Sequence, residues 1–74
     1  MQGKKLSKAK ELALKAVAAE PDNASYLDTL GWVLFRLAEN EKARDILEKA
    51  AGIDTHEPEI LDHLAQVYLS LIHI

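Results

Sequence analysis

Residues 24–57 read ASYLDTLGWVLFRLAENEKARDILEKAAGIDTHE, and apolar side chains recur through them at helical spacing. Leu27, Leu30, Gly31, Leu34 and Leu37 fall at i, i+3, i+4, i+7 and i+10, and Asn23 just before them is a favourable N-cap. Ala43, Ile46, Leu47, Ala50 and Ala51 form a second stripe. Asn40 can cap that helix, Glu41 suits its dipole, and it should end near Gly52. A link of only a few residues makes two such helices double back as an antiparallel hairpin.

The same reading extends outward in both directions. Leu6, Ala9, Leu12, Ala13, Ala16 and Val17 mark a helix from about Leu6 to Glu20, stopped by Pro21. Pro58 suits the first turn of a last helix, whose expected stripe is Leu61, Leu64, Ala65, Tyr68 and Leu71. The expectation is an all-α fold of about four helices, stacked as antiparallel hairpins.

Composition agrees. The chain has 74 residues, 12 of them Leu and 11 Ala, against only three Gly and two Pro. A sandwich or barrel would need many more turn residues and clustered β-branched runs. With no Cys, a disulfide framework, a thiolate metal site and a cysteine nucleophile are all excluded. No apolar run reaches the ~20 residues of a membrane span, and no signal-peptide core follows Met1-Gln-Gly-Lys-Lys, so the cytoplasm is the default compartment. Charge is uneven: residues 1–15 carry +4 through Lys4, Lys5, Lys8, Lys10 and Lys15, the remainder −7, and the whole −3. Those lysines alternate with Ala and Leu and lack interleaved aromatics, which fits a solvated helix face better than a nucleic-acid contact.

Shifting the chain by 34 residues against itself makes nine of 40 overlapping positions identical, where chance would give roughly two or three and where such a period marks a repeat array. The matches are Lys8/Lys42, Ala9/Ala43, Lys15/Lys49, Ala16/Ala50, Leu27/Leu61, Asp28/Asp62, Leu30/Leu64, Val33/Val67 and Leu37/Leu71. Residues 24–57 resemble one complete tetratricopeptide repeat (TPR). Leu27, Leu30, Gly31 and Leu34 stand where that family has Trp, Leu, Gly and Tyr, and Ala43, Leu47 and Ala50 where it has Ala, an aromatic and Ala. Thr55 replaces the usual Pro, while Pro21 holds the corresponding place one period earlier. The physical logic is that Gly31, Ala65, Ala43 and Ala50 permit close helix approach while the Leu side chains fill the gaps.

The resemblance implies a TPR-like α-solenoid in an offset frame. Residues 6–23 match the second helix of a preceding repeat, and residues 58–74 the first helix of a following one. Such an arrangement suggests a slice of a longer bacterial-type array, because about three repeats are needed to bury a continuous core. The final Leu-Ser-Leu-Ile-His-Ile departs from the repeat and resembles one frame of a transposon-type sequencing adaptor. Leu12, Ala13 and Leu14 towards one end, and Leu69, Leu71, Ile72 and Ile74 at the other, are expected to be exposed and to favour homo-oligomers through the ends of the stack.

Residues that could carry chemistry are few. His56, His63 and His73 form no His-x-x-x-His pair and read as surface histidines, and no Ser has a nucleophile context. Asp62 and His63, adjacent on a helix, point about 100° apart rather than forming a dyad. No enzyme activity, cofactor or metal is expected. The stacked first helices should instead present a concave face, with Asp28, Trp32, Phe35 and Arg36 on one helix and Asp62, Gln66 and Leu69 on the next. Trp32 and Phe35 are a hot-spot candidate there, or else supplementary core, and Asp28 and Asp62 make the groove acidic. In TPR relatives that grip a C-terminal carboxylate this face carries Lys, Arg and Asn. Here Asp28, Thr29, Trp32 and His63 stand at the comparable places, which favours a basic or apolar partner segment. A scaffold for protein binding is the leading expectation. A purely structural spacer, or anionic-polymer contact through the Lys-rich first helix, are the alternatives.

Overall fold

The computed structural model describes residues 2–72, over which the chain forms α1 (Gln2–Ala19), α2 (Ala24–Arg36), α3 (Asn40–Ile53) and α4 (Pro58–Leu71). Links of four, three and four residues join them, so each helix reverses against the one before it. The result is an all-α stack of helix hairpins measuring 31 × 29 × 17 Å. α2 touches all three other helices, and α3 touches α2 and α4. Among the described residues there is no strand, and no helix is long and apolar enough to cross a membrane.

Local chemistry sets the helix ends. Asn23 is extended and its Oδ1 accepts the Tyr26 N–H at 3.1 Å, a cap worth about 1 kcal/mol. α2 closes with paired reversed bonds: the Glu39 N–H donates to the Leu34 carbonyl at 2.9 Å, and the Ala38 N–H to the Phe35 carbonyl at 3.0 Å. This motif requires a left-handed residue, and Ala38 supplies it at φ 64°, where glycine is usual. Leu37, expected within the helix, is its C-cap. Asn40 does not cap α3. It is the first helical residue, and Glu39 holds the cap position without a side-chain capping bond. The Glu39 carboxylate turns instead to Lys10 Nζ at 3.0 Å and Lys42 Nζ at 3.5 Å, which ties α1 to the α2–α3 turn. Pro58 begins α4, as its missing N–H allows.

The core centres on the crossing of α2 and α3. A Cβ built on Gly31 would lie 2.5 Å from Leu47 Cγ and 2.8 Å from Leu47 Cδ2, so Leu47 sits directly on the α2 backbone. Ala43 and Ala50, a turn to either side, are wholly buried and keep that approach close. Around the crossing, Ala13, Leu30, Leu34, Leu47 and Val67 form one cluster, and Leu27, Ala50 and Ile60 a second.

Two expected stripes are corrected. On α1, Ala13, expected among the exposed residues at the end of the stack, is buried, whereas Leu12, placed in the buried stripe, is 57% exposed as its place at the end of the stack implied. On α4, the buried residues are Ile60 and Val67, with Leu64 and Leu71 half-buried, while Leu61, Ala65 and Tyr68 face outward. The 34-residue period supplies the reason. Leu61, Ala65 and Tyr68 correspond to Leu27, Gly31 and Leu34 of α2, all three of which are buried. Among the described residues no helix covers that face of α4. Tyr68 finds a partner at its tip alone, donating its hydroxyl to Glu48. That bond, next to the Glu48 charge, holds the Tyr68 phenol above its ordinary value.

Gly31→Ala should lower stability by about 1–3 kcal/mol, because Leu47 must leave its seat; urea denaturation measures this, and an unchanged midpoint would contradict the packing. Glu39 gives a pH signature. The hydrogen bond from Lys10, with lesser help from Lys42, holds its carboxyl below the ordinary 4.5. Its contribution is therefore complete above the unfolded value and disappears as pH falls through the lower folded value. Wild type and Glu39→Gln should differ in thermal midpoint at neutral pH and converge in acid.

Candidate functional site

α2 and α4 both lean on α3, and where they meet directly their polar residues interlock. Asp28 is only 7% exposed, a rare place for a carboxylate that lacks a partner. Its Oδ1 lies 2.8 Å from His63 Nδ1 across the helix pair. An ionised carboxylate can only accept, so the ring presents Nδ1–H to Asp28 and leaves Nε2 for another group. Among the described residues no Lys or Arg pairs with Asp28; His63 is its sole ion-pair partner.

Trp32 lies one turn beyond Asp28 and stacks on the His63 ring, with centroids 4.1 Å apart and planes 20° from parallel. Phe35 follows at 5.2 Å from Trp32 in a tilted arrangement. Phe35 also packs against the core cluster of Leu30, Leu34 and Leu47, so it is half core and half ledge. The three rings run in series across α2 and α4. Beside them opens a cleft of about 290 Å³ lined by Ser25, Asp28, Thr29, Asp54, Glu57 and Glu59, with Ile60 at its base.

The residues expected on this face are brought together unevenly. Asp28, Trp32 and Phe35 form one connected unit. Arg36 is exposed beyond it. Asp62 is exposed and accepts from its own neighbour Gln66 at 3.1 Å, so it is not the counterpart of Asp28 that the period suggested. Leu69 is 70% exposed. His63, read as a surface histidine, is half-buried and central. The signal that could have found it was the period itself, which aligns His63 with Thr29 and Glu59 with Ser25. His73 lies outside the described residues.

A scan of family models and searches of curated proteins and of solved structures give no match to this chain.

The Asp28–His63 contact should be energetically coupled. A double-mutant cycle with Asp28→Ala and His63→Ala should return an interaction energy of about 1–3 kcal/mol. His63→Ala alone should also alter the emission of Trp32, the only tryptophan. Strict additivity would show the contact to be incidental.

Proposed function

We propose that this chain is a non-catalytic, TPR-type protein-interaction module whose α2–α4 face receives a basic segment of a partner protein. The 34-residue period and the Gly31, Ala43, Leu47 and Ala50 pattern support the repeat type. The observation that carries the functional reading is the juxtaposition of an aromatic ledge with an acid-lined cleft. Trp32, half-buried and stacked on His63, presents its outer edge near the opening that Asp54, Glu57 and Glu59 rim. A lysine or arginine side chain matches both halves: its stem lies along the rings and its charged head enters the carboxylates. Such pairing also favours rapid, salt-sensitive association. The half-buried Trp32, anchored by stacking, loses little freedom on binding, which is characteristic of residues that carry interface energy.

The test is titration with Lys- and Arg-rich peptides, followed by Trp32 emission and by calorimetry. Trp32→Ala should weaken binding by roughly tenfold or more. Glu57→Lys should weaken it several-fold and flatten its salt dependence. Equal binding of acidic and basic peptides, or no heat and no emission change with either, would sink the proposal.

A further inference from the structure

Asp28 and Glu59, which line the cleft, cluster with His63, and we infer that the three form a binding site for a divalent metal ion of the zinc class. One carboxylate oxygen from each acid and one imidazole nitrogen lie within 4.8 Å of one another. Glu59 and His63 stand four apart on α4, which places them on one face, and Asp28 reaches them from α2. Zinc bonded to nitrogen and oxygen at about 2.0–2.1 Å needs donors roughly 3.3 Å apart in a tetrahedral shell. Asp28 and His63, now 2.8 Å apart, need open only slightly, and the exposed Glu59 is free to swing inward.

The chemistry of the cluster points the same way. Two carboxylates face one imidazole, so negative charge is in excess whichever protonation state the ring takes. The Asp28 carboxylate is buried and has no Lys or Arg among the described residues to offset it. A dication would supply that charge. One nitrogen and two oxygens suit zinc and its neighbours, whereas magnesium and calcium favour all-oxygen shells. Trp32 stacked on its face already restricts the orientation of the ring.

Leu27/Leu61, Leu30/Leu64 and Val33/Val67 follow the period, but Ser25 and Thr29 are replaced in α4 by Glu59 and His63. Neither donor that α4 brings has a counterpart at the same position of α2, and His63 lies between two positions, 62 and 64, that keep the period. On binding, the ion takes the place of the Nδ1 proton shared with Asp28, that proton goes to solvent, and water completes the shell. Glu59 belongs both to this cluster and to the rim offered to a basic segment, so an ion here would compete with a peptide for that carboxylate.

Zinc and cobalt(II) titrations of the full chain test this, read by calorimetry, by cobalt visible absorption and by emission of Trp32 stacked on the ligand ring. Wild type should bind a single ion and gain thermal stability. His63→Thr and Glu59→Ser, which restore the period's residues, should each weaken binding by roughly tenfold or more. His56→Ala, in the neighbouring loop, should bind as wild type does. Circular dichroism checks that each variant folds, and the exposed Glu59→Ser decides the matter if His63→Thr does not. Wild-type affinity in the folded α4 variants, loss of binding in His56→Ala, or no binding by the wild type would each overturn the inference.

Discussion

Leu47 can rest on the backbone of α2 only because residue 31 has no side chain, and the positions of the other helices follow from that contact. With α3 so close, Ala43 and Ala50 close the crossing on both sides. Larger residues there would force the helices apart and open voids that close-packed interiors do not tolerate. α3 in turn supports α4, which buries Val67 in the cluster with Leu47 and Ile60 in the cluster with Ala50. α2 is thus the element that every other helix touches.

The polar site follows from the same geometry. Because α3 supports both α2 and α4, those two helices meet along a short strip, and that strip holds Asp28, Trp32 and His63. A carboxylate at Asp28 would be costly in so buried a place without the imidazole opposite it. The hydrogen bond that satisfies Asp28 also sets the ring against Trp32. The outer acids, Asp54, Glu57 and Glu59, remain exposed and available to a ligand.

Helix positions were largely legible from periodicity, and the details that were not have identifiable causes. The α2 cap at Asn23 and the start of α4 at Pro58 are local signals, decided by backbone groups within a turn. Asn40 misled because Glu39, drawn aside by Lys10 from 29 residues away, took the cap position. The stripe on α4 misled because this helix carries two apolar faces, and hydrophobicity alone does not say which one has a neighbour. Ile60 and Val67 face the core, while Leu61, with equal apolar character, is 45% exposed. Of the binding face, Trp32 and Phe35 were foreseeable from their spacing, but the burial of Asp28 and the central role of His63 were not.

The sequence by itself determined that this chain is helical, that it folds as short-linked hairpins, and that it repeats every 34 residues. Each of these rests on interactions within a turn or between neighbours in the chain, or on a comparison of the chain with itself. Tertiary structure decided which stripe each helix buries and which charges meet. Those outcomes depend on contacts between residues 28 and 63, 31 and 47, or 10 and 39, which lie on different elements and far beyond the reach of a single turn. His63 reads as a surface residue in the sequence, and the fold half-buries it because, among the described residues, it is the ion-pair partner that Asp28 finds.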